Sequence, residues 1–434
     1  MWGARAMIGR LRALWIGINA SYWFYPALFS LLAVILSAAT VQLDKHGAGQ
    51  WIVHQGWIAA ARPDGASNIL TVIAGSMIGV ASTVFSITIA AVAYASGNYG
   101  PRLLTNFMSD KGNQLSLGSF ISTFVYAVLV LRAVRTADEA GMAGYVPQLS
   151  LLVATILMAI SVAVLVFFLN HIPSSIRINT VLEGIGSRLI KDISDRFPRD
   201  YRDFSPDTLE GGTPIVAPRS GYVTIIDYAG LDDIAREHEV KIVLQIRTGD
   251  FVHPELPLVH VHGGDVGDIT DPLHDKFSVG ALRTPEQDPD FLFDELAEIA
   301  LRALSPGIND PFTAVTSIHW LSAATAELAK RDLSYGPEDE DYDRDRIFPL
   351  PDGFEHFLKR GFGAVRPSAA ASPIAGNQYL EGLASIAIGC TSRHRRMALA
   401  READRLIEQA RLELAGPALE GMEEAYVRLR PGIT

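Results

Sequence analysis

Three acidic residues with helical spacing are the strongest candidates for chemistry in this sequence. Asp290, Asp294 and Glu298 follow one another at intervals of four residues, which places their carboxylates on one face of a predicted helix. Like charges at that spacing repel each other, so they need water or cations beside them. With Asp310 they are candidate contacts for a divalent cation or a basic partner, although the sequence has no calcium-binding loop. The alternative is an ordinary solvated helix face.

Two histidines form a weaker candidate site. His260 and His262 alternate on a predicted strand and therefore point to one face. With Asp265 they could bind a transition metal, but a clear third ligand is missing. Solvated or hydrogen-bonded surface histidines are the interpretation that we favour, and we predict no metal site.

Sequence motifs of the common enzyme classes are not found. The chain lacks a phosphate-binding loop, a GxSxG elbow, an HExxH helix and a CxxC pair. We therefore expect a protein that is not an enzyme, with no catalytic residue and no cofactor. A membrane enzyme stays as a third hypothesis, which requires the acidic helix face to bind a metal in a closed pocket.

Charge is distributed very unevenly along the chain. Its 434 residues include 37 Lys and Arg against 48 Asp and Glu, a formal net charge of −11. Residues 1–176 carry +4 and residues 177–434 carry −15. This excludes a single soluble globule, a disordered chain and a nucleic-acid-binding protein, which would need a basic face.

Four apolar stretches are long enough to cross a bilayer core, which needs about 20 residues of helix. They are residues 23–43, 70–95, 115–133 and 149–171. The excess of Lys and Arg in the loops is modest, and it predicts that both termini are cytoplasmic. The single cysteine, Cys390, excludes an intrachain disulfide and fits a reducing compartment.

The second predicted span carries a stripe of small and hydroxylated residues. At 100° per residue, a narrow arc contains Thr71, Gly75, Gly79, Ser82 and Ser86. Small residues allow helix backbones to approach closely, so the stripe is a candidate for helix packing. The other interpretation is a pore lining, because hydroxyls can replace water around a solute.

The third span shows a weaker version of this pattern, formed by Ser116, Ser119, Thr123 and Tyr126. The predicted spans contain no Asp, Glu or Lys, and Arg132 lies at the end of span three. Proton relays and ion-coupled carriers usually need such a group inside the membrane, so pumps are disfavoured and a passive channel is not.

The predicted organisation has five parts. Residues 1–20 form an interfacial amphipathic helix, 21–172 the four-helix transmembrane domain, 173–210 a juxtamembrane helical linker, 211–270 a small β module, and 271–434 a mainly helical cytosolic domain with an acidic insertion at 331–352. The fold class is therefore an α-helical integral membrane domain joined to a cytosolic α+β region. The spacing of Gly and Pro in the β module resembles that of a barrel-sandwich domain, without a lysine at the hairpin that would carry a prosthetic group.

Local signals also predict how the helices of the last part begin and end. Thr284–Gln287 has the form of a capping box, which predicts a helix from Pro285 to about Leu304. Gly307 is the predicted left-handed residue after it, and Pro311 opens the next helix. The basic cluster 393–396 is either an exposed face or a partner for the acidic stripe of a neighbouring subunit.

The order of these features resembles one bacterial family of uncharacterised membrane proteins, domain of unknown function 2254. The matching segments are 73–78, 84–88, 99–107, 112–114, 123–126, 284–289 and 299–314. The resemblance covers residues 15–430 and implies a bacterial inner-membrane protein with this architecture. It implies no activity and no catalytic residue.

From these patterns we expect a homo-oligomeric, passive channel-like protein that its cytosolic part assembles or gates. The expected partners are the lipid bilayer, further copies of the chain and an inorganic ion, and no nucleic acid. The alternative is a membrane-anchored scaffold or sensor without transport.

Overall fold

The structure is a computed structural model, and its chain divides into two compact units. We name them the membrane unit, residues 10–177, and the C-terminal unit, which begins at Ile178. The described residues are 22–55, 60–100, 110–135, 144–199, 209, 211–264, 266–285, 287–333, 342–350 and 353–433. The interfacial helix predicted for residues 1–20 lies outside them.

Five helices make up the described part of the membrane unit. They are α1 (Phe24–Lys45), α2 (Ala48–His54), α3 (Pro63–Tyr99), α4 (Lys111–Leu131) and α5 (Gln148–Ser175). All except α2 are long and apolar enough to cross a membrane, which confirms the four predicted helices. At 37 residues α3 is about 55 Å long, well beyond the roughly 30 Å of a bilayer core.

The interior of this bundle is apolar with a few paired hydroxyls. Phe120 and Tyr126 of α4 are fully buried. The hydroxyl of Thr123 lies 2.9 Å from that of Ser161 on α5, and the hydroxyl of Tyr126 lies 2.8 Å from that of Thr40 on α1. The weaker stripe predicted for span three therefore faces other helices of the same chain.

A buried carboxylate from α1 caps the first turn of α5. Asp44 accepts hydrogen bonds from the backbone N–H groups of Leu149 and Ser150, each at 2.9 Å, and from the Ser150 hydroxyl at 2.7 Å. These N–H groups have no partner within their own helix, so a carboxylate there stabilises the helix start. Because α1 continues to Lys45, Asp44 belongs to the last turn of this helix, one residue beyond the predicted span of residues 23–43.

At the start of α4 a second aspartate performs the same function. Asp110 accepts a hydrogen bond from the N–H of Gly112 at 2.8 Å, and its other oxygen lies 2.7 Å from Nε2 of His171. Asp44 and Asp110 therefore both lie at helix ends, where they satisfy backbone donors.

The strands of the C-terminal unit form two small sheets. The strands are β1 (Thr213–Val216), β2 (Gly221–Ile226), β3 (Lys241–Leu244), β4 (Phe251–Val252), β5 (Pro257–His262), β6 (Phe277–Gly280) and β7 (Ile347–Phe348). One sheet has the order β1-β5-β3-β7 and the other β4-β2-β6; among the described strand pairs, β3–β7 alone is parallel. The described strands close no barrel, so the barrel-like part of the prediction is not confirmed.

Helices complete the C-terminal unit. They are α6 (Ile178–Arg196), α7 (Tyr228–Glu237), α8 (Thr270–His274), α9 (Pro289–Ala303), α10 (Pro311–Leu328), α11 (Phe354–Leu358), α12 (Ala364–Ala370), α13 (Pro373–Gly389), α14 (Arg393–Glu413) and α15 (Pro417–Ile433), with one π-helical turn at Lys359–Gly363. The apolar face of α6 includes Leu182, Leu189 and Ile193 and packs against α9 and α10. The predicted juxtamembrane helix therefore buries this face within its own unit.

Two local predictions about helix ends were wrong. Helix α9 begins at Pro289 rather than Pro285, because the Asp288 carboxylate accepts the hydrogen bond from the N–H of Phe291 at 3.1 Å. The left-handed residue in the following turn is Asn309, with φ of 50°, rather than Gly307. Asparagine tolerates this conformation better than most residues.

Candidate functional site

The stripe of small residues lies on the outer surface of the membrane unit. Thr71, Gly75, Gly79, Ser82 and Ser86 are all exposed. A Cβ atom added at either glycine would meet nothing within 4 Å. Within the described part of the chain, the stripe therefore does not serve helix packing. We name these five residues the outward stripe of α3.

The opposite face of α3 is the one that packs in the bundle. Its fully or nearly fully buried side chains are those of Leu70, Ile73, Met77, Val84 and Thr88. Large exposed side chains border the outward stripe, among them Ile78, Phe85 and Ile89. The helix thus has a bulky inner face, and its outer face contains a strip of small residues between apolar margins.

Two further polar residues continue the outward stripe toward the start of α3. Asp64 and Asn68 are exposed and precede Thr71 by seven and three residues, so they lie in the same arc. We missed them at the sequence level because the predicted span began at residue 70. Proline is favoured as the first residue of a helix, so extending the helical spacing back to Pro63 would have included Asp64 and Asn68.

The hydroxyl groups on this side of α3 bond to their own helix. The Ser86 hydroxyl donates to the carbonyl of Ser82 at 2.9 Å, and the Thr83 hydroxyl donates to the carbonyl of Gly79 at 3.0 Å. A hydroxyl has one hydrogen and two acceptor lone pairs. Since each hydrogen is used within the helix, these oxygens present acceptors to their surroundings.

The acidic face of α9 has basic partners within the C-terminal unit. Asp294 lies 2.6 Å from Nη1 of Arg283 and 2.9 Å from Nε of Arg360. Asp290 lies 2.8 Å from Nε2 of His356 and 3.6 Å from Nε of Arg360. The carboxylates tolerate their close spacing because basic side chains from elsewhere in the chain lie between them.

The other predicted acidic contacts have separate partners. Glu298 lies 3.7 Å from Nε of Arg302 on the same helix. Asp310 caps α10, since its carboxylate accepts from the N–H and the hydroxyl of Thr313 at 3.1 and 2.6 Å. Of the four acidic candidates, the structure brings only Asp290 and Asp294 together, through Arg360.

No metal-binding cluster of three or more His, Cys, Asp or Glu residues is found among the described residues. His260 and His262 lie on β5, and Asp265, the third member of the predicted set, lies outside the described residues. The basic cluster 393–396 does not form one exposed face, because Arg395 is buried within its own unit.

Sequence reasoning missed Asp288, which joins Arg283 to the acidic face. Its carboxylate accepts from Nε and Nη2 of Arg283 at 2.8 and 2.5 Å. A side chain at Gly249, where φ is +90°, would overlap this carboxylate. We name Arg283, Asp288, Asp290, Asp294, His356 and Arg360 the α9 ion network.

The pKa values of two carboxylates of the α9 ion network shift in opposite directions. Burial raises the pKa of Asp288 from 3.8 to about 6, although Arg283 acts against the rise. Burial also acts to raise the pKa of Asp290, but its hydrogen bond to His356 and the charges of His356, Arg360 and Arg283 outweigh it and lower that pKa. Both directions follow from the balance between desolvation and opposite charge.

We predict that Asp288→Asn changes the pH dependence of stability. The raised pKa means that the folded state holds this proton more tightly, so the contribution of Asp288 is present near pH 4 and is lost as pH rises to about 6. The difference in Tm between the parent protein and Asp288→Asn should therefore fall over that window. The corresponding change in the free energy of unfolding is at most about 3 kcal/mol. Thermal unfolding of the detergent-solubilised chain at several pH values measures it.

Asp290→Asn provides the matched control. Because the pKa of Asp290 is lowered, its contribution to stability is present above pH 3.8 and is lost as the pH falls below that value. The Tm difference for this variant should therefore have the opposite slope. Equal slopes for both variants would contradict the assignment.

A bundle of four helices long and apolar enough to cross a membrane, followed by a separate unit of helices and two small sheets, is the architecture of a membrane protein. A family model described as "Predicted membrane protein (DUF2254)" matches residues 19–385, and the chain belongs to this family. That result confirms the resemblance seen in the sequence.

Two mycobacterial relatives of this chain are named as uncharacterized proteins. Uncharacterized protein Mb1321c of Mycobacterium bovis and uncharacterized protein Rv1290c of Mycobacterium tuberculosis are each 28% identical to this chain over 445 residues. Each alignment covers 95% of this chain and 80% of the relative. No solved structure matches the chain.

Proposed function

We propose that this protein is a homo-oligomeric, passive channel-like protein of the bacterial inner membrane. The outward stripe of α3 is the single observation that carries this proposal. It lies on the surface of the bundle, where a lone chain would present glycines and hydroxyls to lipid. Surfaces of this kind in membranes usually contact another helix or a water-filled space.

A second copy of the chain is the occupant that fits the stripe. The open space beside Gly75 and Gly79 allows a helix backbone to approach closely. Neighbouring Ile78, Phe85 and Ile89 supply the apolar margins of such a contact. In a closed ring, each copy of α3 would bring the outward stripe toward the symmetry axis.

The chemistry of the outward stripe favours water and cations along that axis. The hydroxyl of Ser86 presents acceptor lone pairs, and Asp64 would place a ring of carboxylates at one end. No Asp, Glu, Lys or Arg lies between Ala66 and Pro101. Movement would therefore be passive, since coupled transport usually needs an ionisable group within the membrane.

The proposed topology has both termini and the C-terminal unit in the cytoplasm. The bias of Lys and Arg among the short loops supports this orientation. We propose that the C-terminal unit assembles or gates the oligomer and has no enzymatic activity. The basic partners of Asp290 and Asp294 support this, because they leave those carboxylates poorly suited to bind a catalytic cation.

A membrane-anchored scaffold or sensor is the second candidate. The hydrogen bonds of Thr83 and Ser86 to their own helix favour it, because hydroxyls satisfied in this way can lie in a dry interface. In that case Ser82→Ala and Ser86→Ala would leave ion flux unchanged.

We predict that Gly79→Leu disrupts the oligomer. A leucine fills the space that the second helix would occupy and separates the backbones by several ångströms. Native mass spectrometry of the detergent-solubilised protein should show a ring of three or more copies for the parent chain and mainly monomer for the variant. Ala159→Leu, on an exposed face of α5, is the matched control and should keep the oligomer.

Two results would overturn this proposal. A parent chain that is monomeric or dimeric would leave too little polar surface to enclose a path. A ring that survives Gly79→Leu would place the interface elsewhere. For an intact ring, flux of monovalent cations into reconstituted vesicles separates the channel from the scaffold.

A further inference from the structure

A polar cleft lies on the C-terminal unit between two helical segments that are adjacent in space. One wall comes from α11 and the π-helical turn Lys359–Gly363, and the other from the middle of α14. Its volume is about 410 Å³, and charged side chains dominate its lining. This volume is within the range of small-molecule sites.

The carboxylates of the cleft have partners already. Glu355 accepts a hydrogen bond from Nη2 of Arg401 at 2.6 Å. Glu402 is buried, and its Oε1 accepts from the hydroxyl of Tyr379 at 2.8 Å and from Nη1 of Arg366 at 2.6 Å. The negative charges of the cleft are therefore largely balanced by Arg401 and Arg366.

The other two cations of the cleft lining are Lys359 and Arg405. Arg405 lies 3.6 Å from Oε2 of Glu402 and 60% of its side chain is exposed. Among the described residues, the amine of Lys359 has no ion pair or hydrogen bond. The cleft lining thus has three basic side chains against two acidic ones, a net charge of +1, in a unit with 27 Lys and Arg against 43 Asp and Glu.

Two adjacent basic residues of the π-helical turn have different surroundings. Arg360 contributes to the α9 ion network, where its Nη2 donates to Asp294 at 3.1 Å. Lys359, one residue earlier, lines the cleft instead. Single π-helical turns are rare, and they occur frequently at functional sites.

We propose that this cleft binds a small, soluble phosphate-bearing anion through Lys359 and Arg405. A phosphate group carries about two negative charges, and Lys359 and Arg405 are the two most weakly paired cations of the cleft lining. The guanidinium group of Arg405 can donate two parallel hydrogen bonds to phosphate oxygens, and the lysine amine adds a point charge. The acidic surroundings disfavour a nucleic acid, and the cleft size limits the ligand to a small molecule.

Calorimetric titration of the detergent-solubilised full chain with pyrophosphate tests this site. We expect saturable binding that weakens about tenfold in Lys359→Gln and in Arg405→Gln, since each removes one contact to a charged oxygen. Both side chains are exposed, so both variants should fold. Arg411→Gln is the matched control, because Arg411 lies on α14 outside the cleft and pairs with Glu423.

Absence of binding to the parent chain, or equal weakening in Arg411→Gln, would overturn the proposal. Titrations with ATP and with glycerol 3-phosphate identify the source of the phosphate. Tighter binding of ATP supports a soluble polyphosphate ligand, whereas a preference for glycerol 3-phosphate would indicate a lipid headgroup and overturn the assignment to a soluble ligand. The result does not depend on the oligomeric state.

Discussion

Replacing Arg395 by methionine should lower the Tm of the C-terminal unit by roughly 10 °C. Arg395 is only 5% exposed, and its Nη1 donates to the carbonyls of Leu328, Ala329 and Arg331 at 3.1, 3.1 and 2.8 Å. These carbonyls lie at and just beyond the end of α10, and that of Leu328 also accepts from the N–H of Arg331 at 3.1 Å. Methionine would remove the donor from the buried carbonyls of Ala329 and Arg331, at a cost of about 3–5 kcal/mol.

Two further variants separate this capping contact from general effects of charge. Arg393→Met removes an exposed arginine two residues earlier, which has no ion pair or hydrogen bond to the described residues. Its Tm should change by less than about 2 °C. Arg395→Lys keeps the charge but loses the planar fork, so it should be intermediate. Similar losses for Arg393→Met and Arg395→Met would contradict the capping contact.

The spans could be predicted because membrane helices depend on local composition. A run of about 20 apolar residues is sufficient to specify a membrane helix, whatever its neighbours are. The arc formed by Gly75, Gly79 and Ser82 could be predicted for the same reason, because helical spacing is a local property. The direction in which this arc faces could not be predicted, because it depends on where α1, α4 and α5 pack against α3.

The partners of the acidic candidates could not be predicted from sequence. Asp290 and Asp294 were identified by their spacing, but His356 and Arg360 come from a segment more than 60 residues later. In the same way, Asp44 caps a helix that begins more than 100 residues further along the chain. Such contacts depend on tertiary packing, for which one sequence contains no local signal.

In the β module, too, contacts between distant segments could not be predicted from sequence. Strands β1, β2, β3 and β5 follow from their β-branched residues and from the Gly and Pro between them. Strand β7 has only two residues, Ile347 and Phe348, and pairs with β3 in parallel from about 100 residues away. A pair this short and this distant has no periodic pattern to recognise.

Gly186→Ala should destabilise the C-terminal unit by about 2–4 kcal/mol, although glycine-to-alanine changes usually stabilise helices. Gly186 lies on α6 against Trp320 of α10. A Cβ atom there would lie 2.7 Å from Cγ of the indole and closer still to its Cδ2 and Cε3. Because the clash involves the ring itself, α6 and α10 would have to move apart or the indole would have to leave its place. Thermal unfolding of the detergent-solubilised chain should show a Tm lower by roughly 6–10 °C.

Gly184 is the matched control on the same helix. It is exposed, and a Cβ atom there meets nothing within 4 Å. Gly184→Ala should therefore stabilise the unit by about 0.5–1 kcal/mol, the usual gain in a helix interior. Trp320→Leu should reduce the penalty of Gly186→Ala in a double-mutant cycle, since the smaller side chain makes room for the methyl group. If both alanine variants change Tm in the same direction, the contact between Gly186 and Trp320 does not hold α6 against α10.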